Sequence, residues 1–219
     1  MALPRINVKG ILRILEDLYP EAKCALHYHN PFELLVATIL SAQCTDKRVN
    51  AMTPQLFAKY PTPQVLAVAD LSEVEKDIEV CGLFRMKAKN LIGTARLLVD
   101  EHQGNVPQSR EELMALPGVG RKTANVLLSN AFGVPAIAVD THVQRVSNRL
   151  GLAMSDNVLE TEQQLMHRIP EALWSAAHHW LIFHGRQVCI ARSPKCEVCS
   201  LATYCRYFKV QIKSSRKQA

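Results

Sequence analysis

LPGVGRKTAN, Leu116 to Asn125, is the stretch on which the fold turns. A capping pair, Ser109 with Glu112, opens a helix that Pro117 stops, and Gly118-Val119-Gly120 makes a tight turn. Arg121 and Lys122 then begin a second helix, whose Ala124, Leu127, Leu128 and Ala131 fall on one face. Residues 109–133 therefore read as helix, hairpin, helix. Glycines let a backbone approach a bulky ligand, and the amides and positive dipole end of the new helix suit phosphate. The bland alternative is a hairpin whose glycines merely allow a tight connection. Two nucleotide motifs fail on spacing. A phosphate-binding loop needs four residues between its glycines and then Gly-Lys, but Arg121 precedes Lys122; a dinucleotide fingerprint needs a preceding strand and a small third residue, but Thr123 stands there.

Lys122 is the chemical clue. Arg121 beside it and the positive end of a helix both disfavour its ammonium form, and a neutral amine is a nucleophile. The competing role is a phosphate contact. A partner follows in AIAVDTHVQRVSNRLG, where an apolar run delivers Asp140 ahead of a helical segment bearing Arg145 and Arg149. Asp140 can cap that helix, serve Lys122, or do both.

Outward from this centre the chain is punctuated like a helical bundle. Asn30, Pro31 and Glu33 form a start signal, with Phe32, Leu35, Val36, Ile39 and Leu40 on one face; Ser72 with Glu75 gives another start. Pro61 and Pro63, Gly82, Gly104 to Pro107, and Gly133 to Pro135 separate the remaining helices. A chain of 219 residues with 48% hydrophobic residues can bury a real core as one domain or two. The net charge of +6 concentrates toward the end, where Arg186, Arg192, Lys195, Arg206, Lys209, Lys213, Arg216 and Lys217 face one acid, Glu197, a balance suited to a polyanion. No apolar run approaches the ~20 residues of a membrane span and the start lacks a signal peptide, so the expectation is a cytoplasmic protein with no membrane partner.

Of seven cysteines, Cys24, Cys44 and Cys81 are scattered, while Cys189, Cys196, Cys199 and Cys205 cluster like a metal site. Four thiolates so close in sequence can hold zinc or an iron–sulfur cluster, and spacing alone does not choose.

These stretches, with ILSAQCTDKRVN and CGLFRMKAKN, resemble the endonuclease III family of helix-hairpin-helix DNA glycosylases over nearly the whole chain. The resemblance implies an all-α fold of two helical domains with a DNA-binding cleft between them. The helical barrel would span 24–134 and a discontinuous cluster domain 1–23 and 135–212, with a polar tail at 213–219. It implies a [4Fe-4S] cluster held by Cys189, Cys196, Cys199 and Cys205, with Arg192 and Lys195 reaching phosphates from the loop between the first two ligands. The activity implied is excision of oxidised or ring-saturated pyrimidines from double-stranded DNA, joined to cleavage on the 3′ side of abasic sites by β-elimination. Lys122 would be the nucleophile and Schiff-base former, and Asp140 the catalytic carboxylate. Gln43 and Leu83 match residues inserted into the duplex; without the family, Leu83 would read as core or a helix-end contact. Asp46 matches a carboxylate near the lesion pocket, its alternative being a helix cap. Gly118, Gly120, Arg121, His142 and Arg145 complete the expected DNA contacts, and Cys44 reads as inert packing. The expected partner is damaged DNA, the protein acting as a monomer and, if bacterial, at the nucleoid. A glycosylase without lyase activity and a DNA-binding module without chemistry remain the competing readings.

Overall fold

The computed structural model describes residues 6–215, and all the regular structure among them is helical. The helices are α1 (Val8–Leu18), α2 (Pro31–Ser41), α3 (Asp46–Lys59), α4 (Pro63–Ala67), α5 (Leu71–Asp77), α6 (Phe84–His102), α7 (Arg110–Ala115), α8 (Arg121–Ala131), α9 (Thr141–Leu150), α10 (Val158–Arg168), α11 (Trp174–Gln187) and α12 (Arg206–Ser215). The chain divides into two compact units, Cys24–Val134 and the segments that end at Lys23 and resume at Pro135.

In the unit Cys24–Val134, α2 is the central element, packed on α3, α6 and α8, while α4 and α5 lie on α6 and α7 on α8. Its start follows from the sequence: Asn30 accepts from the Glu33 amide at 2.9 Å, and Glu33 reaches back to the His29 amide at 2.7 Å. The five residues expected on one face understate its burial, because Phe32 and every residue from Leu34 to Leu40 are buried. A helix that is apolar all round sits inside its domain. The start expected at Ser72 falls elsewhere: Asp70 caps α5, accepting from the amides of Ser72 and Glu73, since its carboxylate sits one position ahead of Leu71. Ser109 does cap α7, accepting from the Glu112 amide at 3.2 Å and donating to the Glu112 carboxylate at 2.7 Å.

The hairpin between α7 and α8 rests on α6. Thr94 donates to the Pro117 carbonyl at 2.9 Å, and Gly93 lies beneath the Pro117 ring. Gly118 has φ of +77°, and a Cβ there would lie 2.8 Å from Asn90 Nδ2, so conformation and space both call for glycine. Arg110 ties α7 to the buried Asn125 of α8.

The other unit builds its core from α1, α9, α10 and α11, with Ile11, Leu15, Val143, Val146, Leu152 and Leu181 fully enclosed. α12 packs on α9 and runs through Ser215; the last four residues of the expected polar tail, with Arg216 and Lys217, lie outside the described residues.

Candidate active site and metal centre

Lys122 stands exposed on the first turn of α8. Gly120, its N-cap, has ordinary extended backbone and supplies no capping side chain, and nothing lies within 4 Å of where its Cβ would be. The start of α8 thus combines a positive dipole end, a lysine and open space for an anion.

The two expected wedge residues share an unusual backbone. Gln43 has φ of +55° and Leu83 of +59°, and both side chains are exposed. Leu83 is 60% exposed, so the core reading of this leucine fails; it ends a turn and starts α6 without a side-chain cap. Left-handed backbone at a branched apolar residue is strained, and strain of this kind collects at functional sites. The two loops touch: Gln43 O lies 3.7 Å from the Cβ position of Gly82. Lys87, 4% exposed, donates to the Leu40 carbonyl at 2.9 Å, and Arg48 donates to the Val80 carbonyl at 3.4 Å. Because α6 carries Leu83 at its start and the hairpin's seat at Asn90 to Thr94, one rigid helix links wedge and hairpin over roughly 10–16 Å. Asp46 is half-buried as the first residue of α3, whose cap is Thr45 and not Asp46.

In the other unit, Asp140 caps α9, its Oδ1 accepting from the Val143 amide at 2.8 Å. His142 is half-buried, its Nδ1 3.2 Å from Arg145 Nη2. Arg145 turns inward, donating to the carbonyls of Gly185 at 2.9 Å, Cys189 at 3.1 Å and Thr141 at 3.4 Å. Arg149 was legible only as one more base; it donates to the carbonyls of Ile190 at 2.9 Å and Ala191 at 2.7 Å, lies 3.5 Å from Cys189 Sγ, and stacks over Tyr207. These two arginines fasten α9 to the loop on which Arg192 and Lys195 stand exposed.

Cys189, Cys196, Cys199 and Cys205 line one pocket, with Leu150, Val188 and Phe208 among its apolar walls. Among the described residues no three His, Cys, Asp or Glu side chains converge closely enough to hold one metal ion. Four thiols around one pocket are a donor set that fits an iron–sulfur cluster. Burial pushes the thiols of Cys196, Cys199 and Cys205 up, with neighbouring cysteines adding to the effect, so a thiolate state here needs the positive charge of bound metal.

Fold and site together define a helix-hairpin-helix protein with a four-cysteine metal centre. Residues 36–171 match the model of the HhH-GPD superfamily base excision DNA repair proteins, and residues 189–205 match that of the iron-sulfur binding domain of endonuclease III. The chain is 51% identical to endonuclease III of Bacillus subtilis over 92% of its length and 94% of that protein's. It is 46% identical to the endonuclease III of Escherichia coli over 90% and 93%. A solved structure of a trapped endonuclease III–DNA covalent intermediate matches with a TM-score of 0.89 at 50% identity, over 95% of this chain and all of that one. The chain belongs to the endonuclease III family. It is a DNA glycosylase of base excision repair with lyase activity at abasic sites, and its cofactor is a [4Fe-4S] cluster. No described helix is long and apolar enough to cross a membrane.

Proposed function

We propose that this protein removes oxidised or ring-saturated pyrimidines from duplex DNA, and that Lys122 cuts the strand. The observation that carries the reading is the exposed Lys122 on the uncapped first turn of α8, held by a hairpin seated on α6. The damaged nucleotide is swung out of the stack, because its anomeric carbon is otherwise out of reach. Gln43 and Leu83 enter the gap, the amide toward the orphaned base and the leucine between base pairs. The Lys122 amine attacks the anomeric carbon and gives up a proton, the C–N bond to the base breaks, and the base leaves with the bonding electron pair and takes up a proton. The new C–N bond to lysine rearranges to a Schiff base as the sugar ring opens. Loss of a proton from C2′ then expels the 3′ phosphate, and hydrolysis releases Lys122.

Asp140 accepts the proton of the attacking amine and stabilises positive charge on the sugar. That is compatible with its cap, which occupies one carboxylate oxygen. Gly118, Gly120 and Arg121 receive phosphates at the hairpin, as do Arg192 and Lys195 at the loop, with Asp46 near the lesion and His142 beside the backbone. Arg145 belongs with the braces, since its described hydrogen bonds are all internal. Cys189, Cys196, Cys199 and Cys205 would hold the cluster, which would brace the loop bearing Arg192 and Lys195. The protein acts as a monomer in the cytoplasm, at the nucleoid if the cell is bacterial. That a relative 50% identical to this chain has been trapped covalently on DNA supports a covalent route.

Borohydride reduction during turnover on thymine-glycol and abasic duplexes tests the reading. A covalent adduct is expected with the native protein and none with Lys122→Gln, which leaves an exposed position folded. An adduct of undiminished yield from Lys122→Gln removes Lys122 from its role. DNA binding without any adduct favours a module that has no chemistry.

A further inference from the structure

Cys44 and Cys81 meet between the two loops that carry Gln43 and Leu83. Their sulfurs lie 3.6 Å apart, 37 residues apart in sequence, and both are free thiols. Cys44 immediately follows Gln43, and Cys81 precedes Gly82 and Leu83. The pair is asymmetric: Cys44 is partly exposed, whereas Cys81 is 1% exposed. Burial, followed by the hydrogen bond from Cys44, pushes the Cys81 thiol up to about 11. The backbone on either side is already pinned, by Lys87 to Leu40 and by Arg48 to Val80. The sulfurs are already in van der Waals contact, and a disulfide would draw them in to its usual ~2.05 Å.

We propose that Cys44 and Cys81 are a modification site, at which a hydroperoxide drives a reversible disulfide between the two wedge loops. The sulfur of Cys44, the accessible partner, attacks a peroxide oxygen; the O–O bond breaks, and for hydrogen peroxide water leaves as Cys44 becomes a sulfenic acid. The sulfur of Cys81 then attacks the Cys44 sulfur, the S–O bond breaks, and a second water departs carrying the Cys81 proton. Two thiols lose two electrons and one peroxide becomes two waters. A dithiol reverses the step by exchange. A buried, protonated resolving thiol makes the second step slow near neutrality and faster as pH rises, which keeps the reduced form dominant until oxidant persists.

The consequence for activity rests on the wedge roles proposed for Gln43 and Leu83. Insertion into a duplex requires their loops to adjust around two strands, and a covalent tie between the loops removes that freedom. The oxidised protein therefore cuts duplex lesions more slowly, and reduction restores it.

The test treats the holoprotein with stoichiometric hydrogen peroxide while visible absorbance monitors the cluster. Unreacted thiols are then alkylated, and non-reducing peptide mapping is run alongside incision assays. The expected result is a Cys44–Cys81 linked peptide at unchanged cluster absorbance. Incision of a lesion duplex falls at least tenfold and recovers with dithiothreitol. Cys44→Ser, a partly exposed and conservative change, retains basal incision, forms no link and is insensitive to the same dose. Oxidation of Cys44 without a link, with the cluster intact, overturns the site. Leu83→Ala in the reduced protein separates the remaining failures. If it incises normally, the wedge reading is wrong; if it is impaired while the linked native protein is not, the disulfide has no control over activity and the proposal falls.

Discussion

His184 turns its Nε2 to within 3.6 Å of Cys199 Sγ. Its other nitrogen lies 3.0 Å from the hydroxyl of Tyr19, carried just beyond α1. Burial drives the ring's pKa down to about 4, so the ring is neutral and carries one proton. A hydroxyl donating to Nδ1 leaves that proton on Nε2, aimed at the sulfur. Hydrogen bonds of this kind orient metal ligands and hold metal, by roughly 10–100-fold in affinity. His184→Phe should therefore bleach on exposure to an iron chelator about tenfold faster than the native protein. Tyr19→Phe should fall between, because the tautomer is then unrestrained. Equal bleaching rates would mean that the contact does nothing for the cluster.

Asp140 has two roles that one substitution can separate. Asparagine caps helices about as well as aspartate, while alanine loses about 1 kcal/mol. Asp140→Asn should melt within a degree or two of the native protein yet lose excision by about a hundredfold, whereas Asp140→Ala should lose both stability and excision. Thermal melts and single-turnover excision measured on the same preparations decide it. Full activity in Asp140→Asn would reduce the residue to a cap.

The two hairpin glycines make a similar contrast. Gly118 needs left-handed backbone and has Asn90 against it, so Gly118→Ala should destabilise by about 1–2 kcal/mol. Gly120 has no neighbour within 4 Å and an ordinary backbone, so Gly120→Ala should leave the melting temperature unchanged. If phosphate approaches Gly120, that same variant weakens DNA binding several-fold and makes it less salt-dependent. Unchanged binding would place the DNA elsewhere.

Much of this was written in local sequence. Asn30 and Ser109 cap the helices they were expected to cap, Pro117 ends α7's approach, and Asp140 sits at the head of α9. These signals involve a few neighbouring residues and one backbone preference each. Asp70 was missed because Ser72 and Glu75 present the same pattern two residues on, and only the folded backbone shows which carboxylate meets the amides. Residue type alone points Leu83 inward, since a leucine beside a helix usually turns to the core and nothing nearby announces φ of +59°; only the family resemblance marks it as an inserted residue. The inward engagement of Arg145 and Arg149, the Tyr19–His184–Cys199 chain and the Cys44–Cys81 contact join residues far apart in sequence. Single-sequence periodicity carries no record of such pairs.

His179 makes stability depend on pH in a window set by its burial. The side chain is carried on α11, its ring tilted against that of His178 with centroids 4.0 Å apart, and burial lowers its pKa from 6.5 to about 4. Between these values the unfolded chain has taken up a proton that the folded chain has not. Protons are then more numerous on the unfolded state, so unfolding becomes easier as pH falls. The loss begins near pH 6.5, grows through the window and levels off below about pH 4, reaching roughly 3 kcal/mol for a shift of this size. Denaturant melts at intervals from pH 8 down to pH 4 should show that decline. His179→Phe keeps a ring against His178 but cannot bind a proton, so its stability should fall less steeply over the same range. If native and variant proteins lose stability in parallel, the acid sensitivity originates in another group and the buried imidazole of His179 does not titrate as its surroundings require.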